Sequence, residues 1–204
     1  MLNDEKLSSI DWEKVSGLIP CIIQNIFSSE VLMHGYMNPE ALSITQKEKK
    51  VTFYSRTKKR LWTKGEKSKN FLNVVKIILD CDQDSLLILV NPINQTCHLN
   101  ENSCFIGQRS YFTDFFYLEK NINAKKNSNC NLSYTARLHS TGISRIAQKL
   151  GEEAVELVIS SLSNNRIDII NESSDLIYHL IVLLHQKDLD FLSVIKNLIQ
   201  RISK

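Results

Sequence analysis

Asp80, Asp82 and Asp84 alternate within the pentad DCDQD, directly after the apolar run Val74-Val75-Lys76-Ile77-Ile78-Leu79. Read as extended chain, the pentad puts its acids on one face and Cys81 on the other, because successive side chains of a strand point to opposite sides. Carboxylates crowded on one face repel one another unless they are solvated or neutralised by a hard cation; oxygen ligands favour Mg²⁺ or Ca²⁺. The thiol suits a softer metal. Cys97 and Cys104 supply further thiols, giving the spacing Cys-x15-Cys-x6-Cys. Three protein ligands and one open position are the pattern of catalytic rather than structural zinc. His98, beside Cys97, is a fourth ligand or a proton carrier. Taken singly, DxDxD reads as a polar strand end or turn, and scattered cysteines read as core packing; together they point to a two-metal hydrolase.

A second set of acids lies in LGEEAVE, residues 150–156. On a helix Glu152 and Glu156 fall one turn apart, with Glu153 beside Glu152. ESSD adds Glu172 and Asp175 at i, i+3. Two such helices can hold Mg²⁺ between them, and such ions neutralise phosphate charge and orient an attacking water. Acids on a solvated helix face are the plain alternative. Asp175 tells more, because the apolar run Leu176–Leu184 follows at once. His179, one turn after Asp175, is read either as its hydrogen-bond partner or as a core-edge histidine.

The stretch from Ser55 to Ser68 is basic and contains Trp62 and Gly65. It is a solvated loop, or a phosphate cradle in which Arg and Lys supply charge and Trp62 stacks on a base.

These residues need elements to hold them. Short β-like runs at 21–25, 31–37, 51–55, 74–80 and 85–90 alternate with polar breaks, and Asn38-Pro39 opens a helix over 38–49. This predicts a small α+β domain with a mostly antiparallel sheet. Residues 121–133 read as a loop, with the boundary just before it. After Tyr134 apolar residues recur at helical spacing: Ile146, Leu150, Leu157; then Leu176, Leu180, Leu183; then Leu192, Ile195, Ile199. The expected division is 1–114 and 115–204, the second part all-α with three or four helices.

With 204 residues and 43% hydrophobic composition, the chain can build one or two cores. A net charge of +3 gives no call for nucleic acid or an anionic membrane. The segment MLNDEKLSSIDWEK lacks the apolar core of a signal peptide, and Leu176–Leu184 is too short to span a bilayer. A cytoplasmic protein is expected. The odd count of five cysteines argues against a disulfide framework; Cys21 and Cys130 read as packing residues.

LIPCIIQN, VLMHGYMNPEAL, LWTKGEKS, DCDQDSLLILV and CHLNENSCF together resemble the phosphoribosyl-AMP cyclohydrolases of histidine biosynthesis, over about residues 10–110. The resemblance implies Zn²⁺ on Cys81, Cys97 and Cys104, and Mg²⁺ on Asp80, Asp82 and Asp84. It also implies a homodimer in which one subunit gives the first cysteine and its partner the other two. Water activated by zinc would attack C6 of the adenine ring and open the N1–C6 bond, with His98 as proton shuttle. Arg56, Trp62, Lys64, Glu66 and Ser68 would contact substrate. One departure is visible: Lys67 and Lys69 stand where relatives carry threonine and glycine.

SYTARL, GISRIAQKLGEEAVEL and NESSDLIYHLIVLL resemble the phosphoribosyl-ATP pyrophosphohydrolases, of the all-α nucleotide pyrophosphohydrolase type, over about residues 115–204. This implies Mg²⁺ ligands at Glu152, Glu153, Glu156, Glu172 and Asp175, with Arg145 and Lys149 on the phosphates. Both halves in one chain resemble the bifunctional enzymes of that pathway, the second half making what the first consumes. Rival readings are a general nucleoside-triphosphate pyrophosphohydrolase beside a degenerate first half, and a nucleic-acid binder using residues 56–69.

Overall fold

A computed structural model describes residues 9–107, 109–129, 133–163 and 165–202. The expectations for the start of the N-terminal segment and for Cys130 fall outside these residues. The chain divides into two compact units, the first ending at Asp114 and the second beginning at Phe115.

The first unit holds β1 (Ile19–Asn25), β2 (Val31–Met37), α1 (Pro39–Glu48), β3 (Thr52–Ser55), β4 (Arg60–Thr63), β5 (Leu72–Leu79) and β6 (Leu86–Pro92). The order β2-β1-β6-β5 makes a four-stranded sheet, and β3 and β4 form a separate two-stranded one. The β1–β2 and β5–β6 pairs are antiparallel, but β1 and β6 run parallel. The sheet is therefore mixed.

Alternation explains β1: Ile19, Cys21, Ile23 and Asn25 are buried and the residues between them less so. Cys21 is wholly buried, and burial pushes its thiol up to about 12, so it packs as a small hydrophobe. Phe53 is also fully buried. Removing such a ring from water stabilises by about 2 kcal/mol. A Cβ at Gly35 would come within 2.4 Å of the Phe53 ring, so only glycine lets that ring lie against β2. The Asn38 side chain accepts the Ala41 N–H at 2.8 Å and Pro39 opens the first turn, which starts α1 as expected.

Two strand expectations change. Arg60–Thr63 is a strand, not loop, paired with Thr52–Ser55. Its basic composition hid the alternation. Lys59 takes φ 51°, and its N–H reaches Ser55 O at 2.8 Å, which closes the hairpin. Asp80 and Ser85 lie outside β5 and β6, in the connection between them.

The helices are α2 (Tyr111–Ala124), α3 (Tyr134–Ser140), α4 (Ile143–Leu162), α5 (Arg166–Gln186) and α6 (Phe191–Ile202). The expected loop at 121–133 begins later, because Asn121–Ala124 complete α2. Ile122, one heptad after Phe115, is buried with Leu138, Ile146, Ile181 and Val182, and that apolar contact outweighs the polar neighbours. Among the described residues no helix is long and apolar enough to cross a membrane.

Candidate active sites

In the first unit the DCDQD pentad is a turn, not the extended segment expected. Gln83 adopts φ 67°, and Asp80 N–H donates to Ser85 O at 3.1 Å. Asp80 Oδ1 accepts the N–H groups of Asp84 at 3.0 Å and Ser85 at 3.1 Å. The turn still brings Asp80, Asp82 and Asp84 together, with one oxygen from each within 4.8 Å of the others. Convergence thus comes from turn closure rather than from the pleat. The Lys14 ammonium lies 2.8 Å from both Asp82 Oδ2 and Asp84 Oδ2, and it holds the Asp84 carboxyl below the usual range.

Cys97 is buried and Cys104 exposed. Backbone bonds fix both: Cys97 N–H donates to Glu101 O at 2.9 Å, and Cys104 N–H to Leu32 O at 2.7 Å on β2. Burial raises the Cys104 thiol, hydrogen bonding and charge repulsion from Cys97 raise it further, and Lys64 opposes both. Neighbouring thiols suit a divalent cation, which stabilises thiolate. His98 Nδ1 stands 3.8 Å from Cys97 Sγ. Cys81 is exposed on the acid turn, and among the described residues no ligating cluster joins it to Cys97 and Cys104 within one chain.

The basic stretch is knitted internally. Arg60 pairs with Glu66 at 2.8 Å, which holds the Glu66 carboxyl below its usual range. The Arg56 guanidinium lies 3.8 Å above the Tyr36 ring. Trp62 packs on Phe53 with centroids 5.1 Å apart. Ser68 Oγ accepts the Asn70 N–H at 3.3 Å. Gly65 takes φ 94°, and a Cβ there would meet the Asn70 backbone at 2.7 Å. Lys69 takes φ 62°, the left-handed conformation that glycine adopts without strain.

In the second unit α4 and α5 bring together Glu153, Glu156 and Glu172, again with oxygens within 4.8 Å. Glu153 is 5% exposed, unusual for a carboxylate without a counter-charge. The Lys149 ammonium lies 2.8 Å from Glu153 Oε1 and 3.0 Å from Glu152 Oε2. Glu152 also meets Arg145 at 3.2 Å and Gln148 at 2.9 Å. Of the helical acids expected as ligands, Glu153, Glu156 and Glu172 converge, while Glu152 is engaged by Arg145, Gln148 and Lys149. Desolvation, then Glu156, Asp175 and Glu153, push the Glu172 carboxyl above its ordinary value. A carboxyl crowded by other acids is what a divalent cation relieves.

Asp175 borders a cavity of about 400 Å³ with Glu153, Tyr134, Tyr178 and His179. His179 is buried; its Nδ1 lies 2.9 Å from the backbone carbonyl of Asp175, not the carboxylate. That carbonyl can only accept, so Nδ1 carries a proton; Nε2 lies 3.3 Å from the Tyr134 hydroxyl. Reasoning from sequence missed Lys14, Tyr134 and Tyr178. The tyrosines lay within quoted motifs, whereas nothing in the spacing of DWEKVSG singled out Lys14.

The phosphoribosyl-AMP cyclohydrolase family model matches residues 33–106, and the phosphoribosyl-ATP pyrophosphohydrolase family model matches residues 116–202. The chain is 56% identical over 197 residues to the "Histidine biosynthesis bifunctional protein HisIE" of Buchnera aphidicola subsp. Schizaphis graminum, covering 97% of this chain and 95% of the relative. The protein of the same title from Yersinia pestis is 52% identical over 204 residues, all of both chains. That from Haemophilus influenzae is 52% identical, covering 96% and 93%.

Proposed function

Because the chain belongs to the family of histidine biosynthesis bifunctional proteins and carries both hydrolases in one polypeptide, we propose which of its residues perform each reaction. The division of labour is 1–114 for ring opening and 115–204 for pyrophosphate release, the latter a bundle of the nucleotide pyrophosphohydrolase type.

In the second unit Glu153, Glu156, Glu172 and Asp175 hold Mg²⁺, which when bound screens phosphate charge and polarises the attacking water. Glu152 keeps Arg145 and Lys149 beside this site, and the two cations turn to the α- and β-phosphates of phosphoribosyl-ATP. Water adds to phosphorus, the α–β anhydride breaks, and pyrophosphate leaves with phosphoribosyl-AMP as co-product. The neighbouring cavity, about 400 Å³ and walled by Tyr134 and Tyr178, receives the rest of the nucleotide.

In the first unit Cys97 and Cys104, with Cys81 of the partner subunit, hold Zn²⁺, which when bound supplies a hydroxide near neutral pH. Asp80, Asp82 and Asp84 hold Mg²⁺. His98 carries the proton from water to N1 of the ring as hydroxyl adds at C6 and the N1–C6 bond opens. Arg56, Trp62, Lys64, Glu66 and Ser68 line the substrate approach. Cys81 is exposed, as a ligand shared with a second subunit has to be. The protein acts in the cytoplasm on small molecules, without nucleic acid or membrane.

What supports this reading most is that each unit gathers its own oxygen-ligand set, Asp80/Asp82/Asp84 in one and Glu153/Glu156/Glu172 in the other. The test is to supply phosphoribosyl-ATP with Mg²⁺ and Zn²⁺ and follow products in time. Pyrophosphate and phosphoribosyl-AMP should appear first, then the ring-opened product. Release of pyrophosphate without any ring opening would leave only the helical half of the proposal.

A further inference from the structure

The Lys14 side chain spends all its donors on the acid turn: Asp82 Oδ2 at 2.8 Å, Asp84 Oδ2 at 2.8 Å and the Asp82 carbonyl at 3.1 Å. An isolated surface ion pair contributes little. This one differs in two respects. It engages two members of a single cluster of converging carboxylates. It is also presented by an anchored segment: Ile10 is buried, Trp12 and Val15 pack on the same core, and Gly17 N–H closes on Trp12 O at 2.8 Å. Asp11 then caps Lys14 N–H at 3.0 Å, and its own N–H reaches Gln83 O in the acid turn at 3.4 Å. The segment is thus tied directly to the turn its ammonium neutralises.

We propose that Lys14 is a tethered counter-ion that competes with the divalent cation for Asp82 and Asp84 and thereby sets how tightly the turn binds it. The inference rests on the assignment of these acids as cation ligands made above. Asp82 Oδ2 and Asp84 Oδ2 cannot serve an ammonium and a divalent ion together, and two cations at that separation repel. Binding therefore displaces Lys14, and a cation offsets part of the turn's negative charge in either state. Its function is to weaken cation affinity while keeping the acid turn folded when cation is scarce.

The test is Mn²⁺ binding, read by electron paramagnetic resonance of the free ion, on the full chain carrying Glu156→Gln and Glu172→Gln to dismantle the helical acid cluster. Lys14→Met should bind Mn²⁺ about five- to tenfold tighter, with the gain shrinking at high salt, as expected for removing one partly screened charge. Lys14→Arg should stay near the parent, and Asp82→Asn should bind more weakly. In EDTA, Lys14→Met should melt at a lower temperature than the parent. Equal or weaker Mn²⁺ binding by Lys14→Met, with Asp82→Asn still weakened, overturns the competition. Unaltered Mn²⁺ binding by Asp82→Asn overturns the cation assignment itself.

Discussion

Asp80 Oδ1 accepts the backbone N–H of Asp84 at 3.0 Å, so the carboxylate that follows β5 closes the turn carrying the other two acids. Asp80 therefore has a structural duty separable from its charge. Asp80→Asn keeps the accepting oxygen, whereas Asp80→Ala orphans the N–H groups of both Asp84 and Ser85. Urea melts should place Asp80→Ala about 1–2 kcal/mol below Asp80→Asn. Equal stability would mean that the turn is held by its other bonds.

Lys69 takes φ 62°, a left-handed conformation that glycine adopts without strain. The left-handed conformation costs an ordinary residue about 1–2 kcal/mol, partly offset by the greater chain entropy that glycine loses on folding. Lys69→Gly should stabilise the first unit by up to about 1 kcal/mol in urea melts, and Lys69→Ala should not. Equal stability of Lys69→Gly and the parent would mean that the left-handed conformation costs Lys69 nothing here.

Glu172 has a carboxyl raised above its ordinary value by desolvation and by Glu156, Asp175 and Glu153. A raised acid favours the protonated folded state. Its stabilising effect is fully present below the ordinary pKa and is lost as pH rises through the raised one. Glu172→Gln should thus melt higher than the parent at neutral pH, with the gap closing in acid. Saturating Mg²⁺ should narrow the neutral-pH gap by raising the parent's melting temperature. A gap independent of pH would assign the effect to packing.

Much of this was legible in the sequence because it depends on local chemistry. The alternation of Ile19, Cys21 and Ile23, the Asn38-Pro39 helix start and the helical spacing after Tyr134 all follow from one-dimensional patterns. What failed depended on where backbone polar groups find partners. DCDQD reads equally well as strand or turn until Asp80 is seen to accept from Asp84 and Ser85. Likewise, helical spacing put Glu152, Glu153 and Glu156 near one another without showing which of them meets Glu172 of the next helix; Glu153 and Glu156 do. Lys14 was invisible because its acids lie far along the chain, and no local pattern encodes a contact of that separation.

The proposed sharing of one zinc between two subunits makes a quantitative prediction for mixed variants. Cys81→Ser and Cys97→Ala should each lose ring opening. A heterodimer of the two has one site with both lesions and one with neither. Random mixing after unfolding and refolding together should restore about a quarter of parental activity. No recovery would place all the ligands of one zinc within one chain.

The central claim is that one chain carries two separable hydrolytic sites, thiols in the first unit and helical acids in the second. Product release by Cys97→Ala and Glu153→Gln, each given phosphoribosyl-ATP and separately phosphoribosyl-AMP, tests it most directly. Cys97→Ala should release pyrophosphate at close to the parental rate and accumulate phosphoribosyl-AMP. Glu153→Gln should lose about a hundredfold or more in pyrophosphate release yet open the ring of supplied phosphoribosyl-AMP normally. Loss of both reactions in either folded variant would contradict it.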